Sequence, residues 1–600
     1  MTSFDNLAAM FFAQERRYAD RPRYRYKRDG VWQEVNWATC ADRVRAMACG
    51  LVSLGLEPGE RVALLSKTRP EWIEFDLAVL ASGGITVPIY PSNLPDECGY
   101  IIWDSGTTIA CVESSQQLAK VRQVQQQGFE LDGRPYRIDL RQMITIDETG
   151  DPGAISLRQL MERGRSVPAS VLHERINRIG RDQLATIVYT SGTTGPPKGV
   201  MQSHGNHLAA VESVGELRLV TPGDIDFFFL PLAHSFARLI EYLGLSEAMV
   251  TAFAQSIDTL MEDIHEVRPQ LIPSVPRIYE KVFGRIQAGR EASPAPKRLL
   301  LDWAFAVGRR RSERLQSGGT LSPGLALQAA LADRLVFSKI QGVLGGRTKF
   351  MISGGAPLAP EIAEFFHASG LLILEGYGLT ETTPILTVNQ PDKFKFGTVG
   401  LPLSCVTLKI AADGEILAKG PNIALGYYNR PDATREAWDE EGWFHTGDIG
   451  EIDAEGFLRI TDRKKDLIKT SGGKYVAPQN VENLLKTQPH ISQAVVIGDR
   501  RKYCVTVLTL DHDEVQAWAA REHIHLPADR SQWADDARVR ALIDAEVAEV
   551  NRRLASYESL KYHRILPRDF SVETGELTPS LKVKRKVIAE RYRDLIEDMY

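Results

Sequence analysis

Thr186-Ile187-Val188-Tyr189-Thr190-Ser191-Gly192-Thr193-Thr194-Gly195-Pro196-Pro197-Lys198-Gly199 runs from an apolar, β-branched stretch straight into hydroxyls, glycines and one lysine. Its first five residues read as a buried strand. Glycines let backbone N–H groups approach phosphate oxygens, hydroxyls donate further, and a lysine supplies charge. Thr190, Ser191, Gly192, Thr193, Thr194, Gly195 and Lys198 are therefore candidate phosphate contacts. This is not a Walker A loop, because Gly199 follows Lys198 and Pro196-Pro197 forbids an immediate helix. A plain polar surface loop is the alternative, and the density of hydroxyls and glycines with a trailing lysine weighs against it.

Strands and helices alternate on either side of this loop. Val44, Met47, Ala48, Leu51 and Leu54 recur at helical spacing. Glu57-Pro58-Gly59 turns into a short buried strand at 61–65, followed by a helix over 71–82, a strand at 85–87, a helix near 95–103 and a strand at 108–112. Further on, Phe350-Met351-Ile352 leads through Ser353-Gly354-Gly355 to a helix after Pro360 and a strand at 371–374. Short apolar strands separated by helices imply βαβ units and a parallel sheet. From Val406 the texture changes to hairpins: segments 406–410 and 415–417 flank Asp413-Gly414, a strong turn signal, and a second hairpin is expected around Glu455-Gly456. Strands are expected at 494–497 and 504–510, then an amphipathic helix carrying Val539, Leu542, Ile543, Val547, Val550 and Leu554. The expectation is an α/β protein. A large N-terminal body of parallel or mixed sheets with helices and a β-rich subdomain spans 1–464, and a smaller, mobile α+β C-terminal domain spans 465–600.

At 600 residues, 43% hydrophobic and 25% charged, the composition excludes a disordered or collagenous chain. A net charge of −5 excludes a bulk electrostatic partner such as nucleic acid. Six cysteines without a C-x-x-C pair argue against a disulfide scaffold or a structural zinc and fit a reducing cytoplasm. Residues 1–12 carry Asp5 rather than a basic region, so no signal peptide is expected. No apolar run reaches the about 18 residues of a membrane span; the most apolar, 77–90, is broken by Ser82, Gly83, Gly84 and Pro88.

More motifs follow the loop in order: Pro231-Leu232-Ala233-His234, Ser353-Gly354-Gly355-Ala356-Pro357-Leu358, Glu375-Gly376-Tyr377-Gly378-Leu379-Thr380-Glu381-Thr382, Gly442-Trp443-Phe444-His445-Thr446-Gly447-Asp448, Thr461-Asp462-Arg463-Lys464-Lys465-Asp466 and Pro579-Ser580-Leu581-Lys582. Together they resemble the AMP-forming adenylate synthetases: acyl-CoA synthetases, luciferases and non-ribosomal adenylation domains. The resemblance takes in nearly the whole chain. Segment 442–465, with Ser274-Val275-Pro276-Arg277-Ile278-Tyr279-Glu280-Lys281, is most similar to the long-chain fatty acid–CoA ligases.

The resemblance implies that a fatty acid carboxylate attacks the α-phosphate of ATP, pyrophosphate leaves, and the acyl group of acyl-AMP passes to CoA. A fatty acyl-AMP ligase that hands the acyl group to a carrier-protein thiol is the close alternative; a non-catalytic nucleotide sensor is the distant one. Such chemistry rests on positioning and charge neutralisation. By resemblance, Thr190 and Glu381 hold Mg2+, a hard ion that prefers hydroxyl and carboxylate oxygens. Tyr377 stacks on adenine, Gly354 and Gly355 let backbone lie close to it, and Thr380 joins the nucleotide contacts. Asp448 accepts from the ribose hydroxyls and Arg463 donates to the ribose. Lys582 is the adenylation lysine, although its lead-in lacks the family's frequent glycine and Lys584 competes for the role. His234 lies beside the acyl carbonyl as a binding and gating group, with an ordinary core histidine as the alternative. Lys465 is the hinge of the domain swing, and Gly472, Gly473 and Lys474 line the CoA channel.

Three features depart from this pattern or stand outside it. Some long-chain relatives carry a tryptophan gate four residues after the motif histidine, where this chain has Arg238. His204 and His207 form H-x-x-H, which reads as a helix start rather than a metal site, since no further ligands lie nearby. Segment 297–349 holds ten Lys or Arg against three Asp or Glu, which suits either a solvated helical face or peripheral contact with anionic lipid.

Overall fold

A computed structural model describes residues 3–131, 133–190, 196–578 and 582–600. The strand that opens the candidate phosphate loop, Leu184–Thr190, lies near one edge of a seven-stranded sheet. In spatial order this sheet is Lys198–Ser203, Leu184–Thr190, Ile85–Ile89, Arg61–Leu65, Ile109–Val112, Gln142–Thr145 and Ile155–Ser156. The pair around the loop is antiparallel and the rest are parallel, as βαβ units require. The two prolines have the expected effect: Lys198–Ser203 returns as a strand, and the next helix, His204–Glu216, starts only after it.

A nine-stranded sheet faces the first across the core helices. Its middle, from Ile373–Tyr377 through Phe350–Ser353, Leu271–Ser274, Ile225–Phe228 and Val250–Phe253 to Pro22–Arg28, is parallel, while both ends are antiparallel. Helix Pro70–Ala81 is buried at every position but Glu71, so its residues are apolar nearly all round rather than along a stripe. Trp37, Trp72, Phe11, Phe75 and Phe228 close the core between the sheets.

Both expected hairpins form, and they join. Thr407–Ile410, Glu415–Lys419, Phe444–Ile452 and Leu458–Arg463 make one antiparallel four-stranded sheet. The strand expected at 371–374 instead spans Ile373–Tyr377. Helix Pro360–Ala368 ends on Ser369 and on Gly370 at φ +82°, which delays the strand and extends it to the residue that matters, Tyr377. Beyond it, Ile491–Ile497, Cys504–Leu510 and Leu560–Ile565 form a three-stranded sheet under helices Pro478–Lys486 and Ala537–Asn551. Arg277 donates to the Ser492 carbonyl at 2.9 Å and Lys486 meets Glu280 at 3.5 Å, so this piece rests on helix Pro276–Glu291. No helix among the described residues is long and apolar enough to cross a membrane.

Candidate active site

Ladder register puts Thr190 opposite Lys198 at the sheet edge, and the Thr190 hydroxyl lies 3.5 Å from the Lys198 carbonyl. Ser191, Gly192, Thr193, Thr194 and Gly195, between these two, lie outside the described residues. The Lys198 ammonium sits 4.8 Å from the centre of the Tyr427 ring, a cation–π arrangement. The Tyr427 hydroxyl donates to Glu381 Oε1 at 2.8 Å. Burial, then Glu381, hold this phenol far above its ordinary range, so it remains a donor. Lys198, Tyr427 and Glu381 therefore stand in one line. Tyr427 belongs to none of the sequence motifs above; its signal is Gly426-Tyr427-Tyr428-Asn429-Arg430-Pro431, an aromatic pair wedged between a glycine and a proline-started helix. Its N–H donates to Thr434 of that helix at 2.9 Å. Gln202 donates to the Thr380 carbonyl at 2.6 Å and steadies the short turn Thr380–Thr382 that presents Glu381.

A second group comes from three strand ends. Tyr377 closes Ile373–Tyr377, and its hydroxyl donates to Asp448 Oδ2 at 2.6 Å. Asp448 and Arg463 are cross-strand partners, and Arg463 Nε lies 3.3 Å from Asp448 Oδ1. Burial raises the Asp448 carboxyl, against the pull of Arg463. Gly354 and Gly355 follow strand Phe350–Ser353. A Cβ on Gly354 would come 3.1 Å from the Phe236 ring, and Gly355 holds φ +82°, so both glycines permit a bare backbone edge here. Glu375, two residues before Tyr377, is buried with Leu358 N–H 3.4 Å from its carboxylate. Burial pushes this carboxyl up to about 8, so at neutral pH it is largely protonated and can donate. Glu375 opens the motif Glu375–Thr382, which by itself assigns it no role.

His234 caps helix Ser235–Ser246: its Nδ1 accepts from Phe236 N–H at 3.2 Å. That bond assigns the neutral proton to Nε2, the other ring nitrogen. Burial, then the nearby Lys582 charge, depress the imidazole to about 3, so it is neutral at physiological pH. His234 is thus suited to donating a hydrogen bond and unsuited to collecting a proton.

Lys582 comes from the far end of the chain. Leu577 and Val583 bridge, Thr578 N–H donates to the Lys582 carbonyl at 2.8 Å, and Lys582 N–H donates to the Thr578 hydroxyl at 3.0 Å. The residue is exposed, and its charge acts on His234, Asp448 and Glu381. Crowding by protein, then Arg463, lower its ammonium to about 8, while Asp448 and Glu381 pull the other way. Lys584 is placed differently. Its N–H donates to the Glu576 carbonyl at 2.8 Å and it starts helix Arg585–Arg591.

Other expected residues stay apart. Lys465 is exposed in the turn after strand Leu458–Arg463. Gly472, Gly473 and Lys474 form a turn between Ile468–Lys469 and Tyr475–Val476, with the Lys474 ammonium 5.9 Å from the Tyr557 ring centre. His204 and His207 lie in the first turns of helix His204–Glu216, where His204 Nδ1 accepts from Leu7 N–H at 3.3 Å and His207 stands edge-on to Tyr242. Arg238, four residues after the motif histidine, is buried. It pairs with Asp76 at 3.1 Å and donates to Tyr242 at 2.7 Å and to Thr186 at 2.5 Å. Withdrawing one partner from a buried ion pair costs about 3–5 kcal/mol, so Arg238 is a fixed strut rather than a swinging gate.

Comparison with known proteins bears on this geometry. Residues 11–428 match the family described as AMP-binding enzyme, and 465–600 match the AMP-binding enzyme C-terminal domain. The long-chain-fatty-acid–CoA ligase FadD15 of Mycobacterium bovis is 39% identical over 600 residues, covering 99% of this chain and 97% of the relative. The long-chain-fatty-acid–CoA ligase ACSBG2 of Xenopus laevis is 33% identical, covering 97% of this chain and 82% of the relative. The adenylation domain of a carboxylate reductase from Mycobacterium chelonae superposes with a TM-score of 0.76 at 23% identity, covering 99% of this chain and 91% of that one, a likeness of fold. With a family match across more than half its length and relatives above 30% identity along nearly all of it, the chain belongs to the AMP-binding enzyme family.

Proposed function

We propose that the protein activates a long-chain fatty acid with ATP and transfers the acyl group to CoA, giving fatty acyl-CoA, AMP and pyrophosphate. The observation that carries this reading is the convergence of Lys582, from the C-terminal end, on His234, Glu381 and Asp448 of the N-terminal body. The ligase names of relatives such as FadD15 support the choice of fatty acid and CoA.

In the first step a carboxylate oxygen attacks the α-phosphorus and the bond to the β-phosphate oxygen breaks. Two anions must meet, and Lys582 and Lys198 supply the opposing charge. The Nε2–H of His234 orients the attacking carboxylate. Asp448 and Arg463 bind the ribose, Tyr377 packs on adenine, and the bare edge at Gly354 and Gly355 admits the base. Thr190 and Glu381 would hold Mg2+: a hydroxyl and a carboxylate suit this ion, and Tyr427 engages one Glu381 oxygen while the carboxylate has a second. When bound, Mg2+ neutralises phosphate charge. In the second step the CoA thiolate attacks the acyl carbonyl and AMP leaves.

Tyr427→Phe tests the line from Lys198 to Glu381. Losing one hydrogen bond to a carboxylate should cost about 1.5–3 kcal/mol of local order. The Mg2+ concentration for half-maximal adenylation should rise several-fold with little change at saturating Mg2+; an unaltered Mg2+ titration would remove Tyr427 from the site.

The domains divide at 464/465, and the C-terminal domain presents two faces in turn: Lys582 for adenylation, then the Gly472-Gly473-Lys474 turn for the narrow pantetheine arm of CoA. Lys465 is the hinge. Lys465→Pro fixes φ there, so one half-reaction should stay near normal while overall turnover collapses. Full overall turnover would sink the hinge assignment.

The function is tested by pyrophosphate release across a fatty-acid length series, with CoA or an acyl-carrier protein as acceptor. Release that peaks with long chains and yields a CoA thioester is expected. Thioester formed only on the carrier protein would transfer the acceptor role to that partner, and no response to any fatty acid would refute the reading.

A further inference from the structure

Seven of the sixteen exposed large hydrophobic side chains among the described residues fall within 295–343, less than a tenth of the chain. This segment is a helical hairpin. Helix Ala295–Gln316 turns into Pro323–Ala332, which continues through the π-helical Asp333–Phe337 into Ser338–Val343. Its inner face is an ordinary core of Phe305, Val307, Ala329, Ala332, Val336 and Phe337. The outer face of the second arm carries Leu327, Leu331, Leu335 and Val343, which are 65%, 44%, 45% and 50% exposed.

The charges on this arm are one-sided. Between 323 and 346 the one acidic residue is Asp333, and Arg311 holds it in an ion pair at 3.0 Å. Arg334 and Lys339, both exposed, flank the leucines. Apolar side chains with basic neighbours along one helical face suit the boundary between lipid headgroups and acyl chains, where anionic headgroups attract Lys and Arg. Self-pairing of this face would gather two arginines and two lysines with no acid opposite. The stripe also leads inward. Leu344, next to the exposed Val343, lines an apolar cavity with Phe229, Ile272, Tyr279, Met351 and Phe366.

We propose that the outer face of 323–343 seats on an anionic lipid surface, with Leu327, Leu331 and Leu335 at acyl depth and Arg334 and Lys339 on headgroup phosphates. It rests on the fatty-acid reading above only for its purpose, since a lipid surface is where long-chain fatty acids reside. Lipid binding itself is measured without substrate, so the two readings fail separately.

The test is co-sedimentation of the full chain with vesicles of phosphatidylcholine alone and of phosphatidylcholine with phosphatidylglycerol. Binding should be strong to the anionic vesicles and weak to the neutral ones. The triple variant Leu327→Gln, Leu331→Gln, Leu335→Gln should lose at least tenfold in partition. Arg334→Gln with Lys339→Gln should lose about fivefold per charge removed. Both variants should keep wild-type turnover of a short, monomeric fatty acid, which reports an intact fold. Absence of binding to anionic vesicles, or equal binding by wild type and the triple variant, overturns the proposal. A concentration-dependent dimer that dissolves in the triple variant also overturns it, by assigning the face to a second copy of the chain.

Discussion

Lys582→Ala should lower acyl-AMP formation by about 10²–10³-fold, the loss typical of removing one positioned donor from a developing anionic centre. The same variant should still convert supplied acyl-adenylate and CoA to thioester, because that step builds charge on the carbonyl oxygen rather than on the phosphate. Lys582 stands in the cleft with Asp448 and Glu381, whereas Lys584 starts a helix, so Lys584→Ala should change little. The pH dependence carries a sign. The protonated ammonium is the useful form, and protein crowding and Arg463 lower it to about 8. The kcat/KM of the adenylation half-reaction for ATP should therefore fall as pH rises through about 8, rather than near the ordinary lysine range. Lys582→Arg should move that fall to higher pH, since a guanidinium keeps its proton. The imidazole of His234, at about 3, should contribute no limb between pH 5 and 8. Equal loss of both half-reactions in Lys582→Ala would refute the division of labour between the two steps.

Glu381→Gln should cut Mg2+-dependent adenylation on the order of 10²-fold while leaving the fold intact. The amide oxygen can still accept from the Tyr427 hydroxyl, so local packing survives, but the negative charge is lost. Excess Mg2+ should restore part of the rate. Thermal unfolding should stay close to wild type, which separates this effect from general damage. A Mg2+ titration identical to wild type would take Glu381 out of the metal site.

Local chemistry explains which parts of this site can be read from sequence. The strand before the candidate phosphate loop is announced by Ile187, Val188 and Tyr189, and the prolines announce that no helix follows at once, but the return strand Lys198–Ser203 is visible only in the fold. Asp413-Gly414 marks its hairpin because the turn needs a residue with positive φ, and Gly414 has φ +86°. Asp448 and Arg463 belong to recognisable motifs, but their pairing depends on the register of two strands. Tyr427 and Glu375 are not legible because their significance lies in what surrounds them: a carboxylate from a distant turn for one, burial with no counter-charge among the described residues for the other. The role of Arg238 was likewise hidden, since its partner Asp76 lies 162 residues away in sequence. Exposed leucines at 327, 331 and 335 have the spacing of core leucines, and only the packing shows which face of the arm is left outside.

The most direct measurement follows an oxygen atom. A long-chain fatty acid labelled with 18O in its carboxylate is turned over with ATP, Mg2+ and CoA, and the products are weighed by mass spectrometry. Attack of the carboxylate on the α-phosphorus, followed by thiol attack on the carbonyl, leaves one labelled oxygen in each AMP and none in pyrophosphate. Label in pyrophosphate or inorganic phosphate, or AMP formed without label, would contradict an acyl-adenylate route.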